Sequence, residues 1–283
     1  MKVGINLLLW ADRPDPLKHK SLLTQIKGWG FDGVEFHVNA FADKDAREYR
    51  KICDDLGLKS TSTIAFDANQ FDPVSEDPVK RQNAIDEIKR SVDKTLILGG
   101  DIIVGPLFQG LPQFSGTAPT QKEWKWAVET MRKGAEYAGE AGIRLALEPL
   151  NRFEMYIVNT LTDGHRFVKD VNLENVGLLA DTFHSNIEEK NVVESWNKVY
   201  DKIFHVHISE NDRGVPGTGH AIPKELFKFL KEKNYEGWLT IEAFNNNVPG
   251  LISRLHLWRS YAVKDEDIAI QGIEFIKKNI TVS

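Results

Sequence analysis

Ile143-Arg144-Leu145-Ala146-Leu147-Glu148 and Val176-Gly177-Leu178-Leu179-Ala180-Asp181 are short apolar runs that each close on a carboxylate. Ile203-Phe204-His205-Val206-His207 and Trp238-Leu239-Thr240-Ile241-Glu242 follow the same plan, closing on an imidazole and a third carboxylate. Runs this short and this apolar read as buried strands. Longer amphipathic stretches separate them, so each run opens a strand-helix unit of roughly 30 residues. Toward the N-terminus the same alternation continues, with further strand candidates beginning near Val3, Gly33, Leu58 and Asp101. Eight strand-helix units in succession predict a parallel sheet with helices packed over it.

For 283 residues, the arrangement that accommodates eight such units is a closed (β/α)8 TIM barrel, which commonly spans about 250 residues as one domain. A single domain over residues 1–283 is expected. Glycines at Gly28-Trp29-Gly30, Leu56-Gly57, Gly99-Gly100 and Ala141-Gly142 stand where a helix must stop before a strand. No Pro/Ser-rich linker or low-complexity tract divides the chain, and the 11 prolines are scattered through loops. Two connections exceed the minimum, Pro106 to Pro119 and Ala243 to Leu251. Loops of that length either cover a site or merely decorate the surface.

Side chains alternate faces along a strand, so Glu148 shares a face with Ala146, Asp181 with Leu179, His207 with His205 and Glu242 with Thr240. Leu145, Leu147, Leu178, Ala180, Phe204, Val206, Leu239 and Ile241 fall on the other face, suited to lie under the helices. Parity therefore turns the four polar termini inward, and in a barrel the strand C-termini converge on one rim. Three carboxylates and an imidazole crowded there repel one another and lose hydration unless a cation sits between them. The oxygen-rich set suits one divalent metal, Mn2+ first, with Co2+ or Mg2+ also compatible, rather than a structural zinc. Glu35 lies inward by the same parity, as a supporting or substrate group or as half of a buried ion pair.

Composition bounds the function from another side. With 41% hydrophobic and 27% charged residues the chain matches ordinary soluble proteins, and its formal net charge of -5 offers no basic footprint for nucleic acid. The apolar start, Leu7 to Trp10, is too short for a signal peptide or a membrane span. A single cysteine, Cys53, forms no internal disulfide, and a cytoplasmic protein without membrane or nucleic-acid partners is expected. Cys53 falls in the helical stretch Ala46 to Leu56 and receives no role.

Three motifs extend the ligand set: Glu148-Pro149-Leu150-Asn151-Arg152-Phe153-Glu154, Asp181-Thr182-Phe183-His184, and His207-Ile208-Ser209-Glu210-Asn211-Asp212-Arg213-Gly214-Val215-Pro216-Gly217. With the late Leu257-Trp258-Arg259 segment, they make the chain resemble the ketose 3-epimerases of the D-tagatose 3-epimerase and D-psicose (D-allulose) 3-epimerase type. These belong to the xylose-isomerase-like sugar isomerase/epimerase barrels. The resemblance implies that Glu148, Asp181, His207 and Glu242 bind Mn2+ or Co2+, and that Glu154, His184 and Arg213 contact the sugar at its reacting end. It further implies that Glu148 and Glu242 act as the two acid/base groups that invert C3 through a cis-enediolate, and that the chain assembles as a homodimer or homotetramer. Departures fall where substrate identity is set. Asn6-Leu7-Leu8-Leu9-Trp10 lacks the tyrosines usual there, Leu107 to Ser115 lacks a tryptophan seen in some members, and His220 stands where many members have arginine.

An inverting proton transfer needs a group on each face of the substrate carbon, which a non-catalytic sugar-binding barrel does not. Aldose-ketose isomerisation and epimerisation of a 3-keto sugar or glycoside use the same metal set and stay open. Multi-zinc hydrolysis requires more histidines than the one clear ligand. Trp10, at the end of the first strand, is a candidate sugar-stacking wall or a core residue. His205 is expected to be a core group bonded to a neighbour, and His19, His37, His165 and His256 to be surface, core or loop residues.

Overall fold

The computed structural model describes residues 1–282; the last residue of the expected domain, Ser283, lies outside them. Eight parallel strands close into one barrel in sequence order. They are β1 (Lys2–Asn6), β2 (Gly33–His37), β3 (Lys59–Thr63), β4 (Ile102–Gly105), β5 (Arg144–Leu147), β6 (Val176–Asp181), β7 (Ile203–Ile208) and β8 (Trp238–Ile241), each starting within one residue of its expected position. The barrel closes where Lys2 to Ile5 pair with Trp238 to Ile241. Glu148 and Glu242, expected as the last strand residues, each lie one residue beyond the strand end.

The helices are α1 (Pro16–Trp29), α2 (Asp43–Leu56), α3 (Pro78–Leu98), α4 (Gln121–Glu140), α5 (Leu161–Val171), α6 (Thr182–Glu188), α7 (Val192–Lys198), α8 (Leu226–Glu232), α9 (Pro249–Ile252) and α10 (Asp265–Val282). Their ends follow local chemistry. Asp15 caps α1 ahead of Pro16, and Thr120 and Glu123 form a reciprocal capping box on α4. Gly30, Gly57 and Gly99 close α1, α2 and α3 in the left-handed region, at φ of 91°, 64° and 75°. Among the described residues, no helix is long and apolar enough to cross a membrane.

Leu145, Leu147, Leu178, Ala180, Val206, Leu239 and Ile241 pack in the main core beneath the helices, as their parity requires. One residue breaks the alternation. Leu178 pairs with Ile203 but Leu179 with His205, so Phe204 is the extra residue of a β-bulge. Phe204, expected on the outer face, instead joins Ile102, Val104, Ala146 and Leu179 inside the barrel. It lies against Gly177, where an added Cβ would stand 2.5 Å from the ring. Beyond the bulge, His205 and His207 resume the inward phase and carry their rings up the barrel axis.

Candidate metal centre and substrate cavity

β5, β6, β7 and β8 deliver Glu148, Asp181, His207 and Glu242 to one point, where one ligand atom from each lies within 4.8 Å of all the others. His207 Nδ1 stands at the middle, 3.6 Å from Glu148 Oε1, 3.8 Å from Asp181 Oδ2 and 3.6 Å from Glu242 Oε1. Glu148 Oε1, Asp181 Oδ2 and His207 Nδ1 are buried and have no hydrogen-bond partner. Buried polar atoms are ordinarily satisfied. Three orphaned lone-pair donors converging on one point are what a divalent cation corrects, so the residues fit a metal.

The neighbours of the set fix its orientation. His207 Nε2 lies 2.8 Å from Glu35 Oε1, an arrangement that commits Nε2–H to Glu35 and leaves the Nδ1 lone pair for a metal. Glu35 also accepts from Asn6 Nδ2 and Thr61 Oγ1 at 3.0 Å each, and His205 Nε2 is within 3.1 Å of its other side. His205 is therefore a buried core group beside a carboxylate, without the hydrogen bond expected of it, and Glu35 contacts both histidines. Asp181 Oδ1 accepts from the His184 backbone N–H at 2.9 Å, capping α6 and pointing Oδ2 at the centre. Glu242 Oε2 accepts from Arg213 Nη1 at 2.5 Å, which leaves Oε1 toward His207.

The charges are correspondingly perturbed. Burial, opposed by His207 and reinforced by Glu242 and Asp181, pushes the Glu148 carboxyl up to about 8. Burial also pushes Asp181 up to about 6, with Arg213 opposing and Glu242 reinforcing. Glu242 feels burial too, but His207 and then Arg213 outweigh it and hold its carboxyl below the ordinary range. Burial disfavours the His207 cation, yet Glu35 and Glu242 prevail and hold the ring well above the usual imidazole range.

Above the four ligands, Arg213 joins the remaining expected residues. Its guanidinium lies 4.0 Å over the Phe183 ring and 5.2 Å from Phe244, and its backbone sits at φ 65°, uncommon outside glycine. Nη2 is 3.6 Å from Glu154 Oε1 and 3.1 Å from His184 Nε2. His184 Nδ1 accepts the Asn151 backbone N–H at 3.0 Å. Burial, then Arg213 and His207, hold this ring well below its ordinary value, so it is neutral. A neutral ring with Nδ1 committed as acceptor carries its proton on Nε2. His184 Nε2 and Arg213 Nη2 stand 3.1 Å apart, and both side chains line the cavity.

A cavity of about 820 Å³ opens over this cluster, lined on the metal side by Glu148, Glu154, His184, Arg213, Glu242 and Phe244. Leu111 and Pro112 from the first long connection and Gly250 and Leu251 from the second border it. Trp10 does not. The chain turns through a 3-10 segment, Leu7–Leu9, directly after β1, and this places Leu8 on the cavity and stacks Trp10 on Trp29 of α1, with centroids 6.3 Å apart. His37, expected to be unremarkable, lines the cavity from the end of β2, whereas His19, His165, His220 and His256 do not line it. The sequence reading also missed Asn151, Phe183 and Phe244. Asn151 and Phe183 stand inside the quoted motifs, and Phe244 is two residues past a ligand, which was the available signal.

Residues 23–279 match the family described as xylose isomerase-like TIM barrel. The chain is 31% identical over 277 residues to an L-ribulose 3-epimerase of Mesorhizobium japonicum, covering 97% of this chain and 93% of that protein. It is 30% identical over 223 residues to the 3-dehydro-D-guloside 4-epimerase of Escherichia coli, covering 77% and 84% respectively. A D-allulose 3-epimerase from Methylomonas sp. in complex with D-allulose superposes with a TM-score of 0.91 at 27% identity, over 99% of this chain and 97% of that one. Barrel, ligand-bearing strand ends and matched length agree: the chain belongs to the xylose isomerase-like TIM barrel family.

Proposed function

We propose that this chain is a metal-dependent ketose 3-epimerase, inverting C3 of a free ketohexose or ketopentose. The observation that carries the reading is the pairing of Glu148 and Glu242. They reach the centre from β5 and β8, each with one oxygen 3.6 Å from His207 Nδ1, and both side chains also line the cavity. A cation held by Glu148, Asp181, His207 and Glu242, with Mn2+ the first candidate and Co2+ or Mg2+ alternatives, supplies Lewis-acid stabilisation of charge on the substrate's oxygens.

The protein's own groups do the rest. One of Glu148 and Glu242 takes the C3 proton, the other returns a proton to the opposite face, and the roles exchange with the direction of reaction. Arg213 and His184 donate to a ketose oxygen, and its negative charge in the transition state strengthens both bonds. Glu154, anchored by Asn151 Nδ2 at 2.8 Å, accepts from a neighbouring hydroxyl and helps fix the reactive pose. The relatives named as ketose 3-epimerases support this assignment.

The test is to load the protein with Mn2+ and incubate it with D-fructose, D-tagatose, D-psicose and L-ribulose, following products by NMR. A C3 epimer forming only with metal is the expected result. An aldose product would reassign the chain to isomerisation, and no product from any ketose would overturn the proposal.

A further inference from the structure

The metal ligands occupy only one side of the cavity. The strands β5 to β8 supply them, while the opposite side is built from the segments that follow β1 to β4 and from the stretch after α9. A volume of about 820 Å³ lies toward the upper end of the roughly 300–1,000 Å³ that accommodates drug-sized ligands. With C1 to C3 of a substrate at the metal centre, the rest of it extends toward the opposite side.

That side carries polar groups set among Leu8, Phe71, Leu111 and Leu255, and some of them lack a partner. Asp12, Arg13, His37, Asn39, Asp67 and Arg254 line it. His37 Nδ1 and Asn39 Oδ1 are buried without a hydrogen-bond partner. Among the described residues, Asp12, Arg13 and Arg254 form neither a side-chain hydrogen bond nor an ion pair, although each lines the cavity. Burial, then Arg254, lowers His37 to about 4, while Asp12 acts on it in the opposite sense, so His37 is neutral. Two guanidinium groups and two carboxylates cancel in formal charge. A phosphate or carboxylate entering here meets Asp12 and Asp67 as well as the arginines, whereas a polyol uses both kinds, guanidinium groups donating to hydroxyls and carboxylates accepting from them.

Resting on the epimerase reading above, we propose that this side is an outer subsite for a second, uncharged polyhydroxylated unit. Among ketoses, the preferred substrate is then one glycosylated at the end remote from C3, with the free ketose turned over less efficiently. Hydroxyls of the distal unit satisfy His37, Asn39, Asp12 and Arg254 together. A site built to hydrogen-bond hydroxyls discriminates against a substrate that lacks them, because its buried polar groups stay unpaired.

The test compares D-fructose, 6-O-α-D-glucopyranosyl-D-fructose and D-fructose 6-phosphate on the Mn2+-loaded protein, by kcat/KM for C3 epimerisation and by calorimetric binding. The glucosyl ketose is expected to exceed fructose at least about tenfold in both. Arg254→Ala and Asp12→Asn should each lower the ratio of glucosyl ketose to fructose about tenfold. Equal values for the two ketoses, or a ratio indifferent to both substitutions, overturns the outer subsite while leaving the epimerase standing. Preference for the phosphate overturns the uncharged class. If nothing turns over, the epimerase reading fails, and tighter binding of the glucosyl ketose still decides for or against the subsite.

Discussion

Replacing Glu35 by glutamine isolates the support beneath the metal centre. Glu35 Oε1 faces His207 Nε2 at 2.8 Å and Asn6 Nδ2 at 3.0 Å, and Oε2 faces Thr61 Oγ1 at 3.0 Å and His205 Nε2 at 3.1 Å. A glutamine amide must turn its NH2 toward one of these pairs. Turned toward His207, it forces the imidazole proton onto Nδ1 and closes the ligand position. Turned toward Thr61 and His205, it meets a hydroxyl that can accept and a ring that can change tautomer. The second orientation is the cheaper one, so Glu35→Gln keeps an oxygen on His207 but removes the negative charge that makes the imidazole a stronger ligand. Outer partners of metal-binding histidines are worth about 10–100-fold in affinity, or about 1.4–2.7 kcal/mol. The assay is competition of Mn2+ against a chelator of known affinity, on variant protein shown to be folded by circular dichroism. A dissociation constant within about twofold of the parent's would refute the claim that Glu35 sets the His207 ligand.

Two further outcomes follow from the same geometry. In metal-free protein Glu148, raised to about 8, and His207, raised well above its ordinary value, are both protonated at neutral pH, and a metal must displace those protons. The sign is that affinity falls as pH is lowered, and binding near neutrality should release on the order of two protons. Calorimetry in buffers of different ionisation enthalpy measures the number, and zero release would contradict the protonation states given above. On the stability side, Gly177→Ala places a Cβ 2.5 Å from the Phe204 ring and 2.6 Å from the Lys202 carbonyl oxygen. Overpacking of that kind costs about 1–3 kcal/mol, read as a lowered midpoint in urea, and an unchanged midpoint would mean that the bulge yields freely.

The barrel and the candidate ligand cluster were legible in the sequence because both rest on local periodicity. Strand alternation alone places Glu148, Asp181, His207 and Glu242 on one face, and it fails only where the strand itself departs from period two. Phe204 is that case: it is the extra residue where β7 shifts register against β6, and no feature of Ile203 to His207 announces it. Trp10 failed for a related reason. The 3-10 turn at Leu7–Leu9 rotates the chain after β1, so the residue facing the cavity is Leu8. Glu35 was ambiguous because its meaning lies 172 residues away in His207. Likewise, His37 and Arg254 carry no shared pattern, and only closure of the barrel brings the end of β2 beside the segment after α9. The motif containing His184 pointed to a substrate contact, but the direction of its proton emerges only with the Asn151 backbone in place.

The central claim is that Glu148 and Glu242 serve opposite faces of C3, and solvent deuterium exchange in single-base variants tests it most directly. Mn2+-loaded Glu148→Gln and Glu242→Gln proteins are incubated in D2O with each of two C3-epimeric ketoses, and deuterium at C3 is followed by NMR. Neither variant should interconvert the epimers, while one should wash deuterium into one epimer only and the other into its partner only. Exchange of the same epimer by both variants, or interconversion persisting in either, would contradict a proton transfer shared between these two carboxylates.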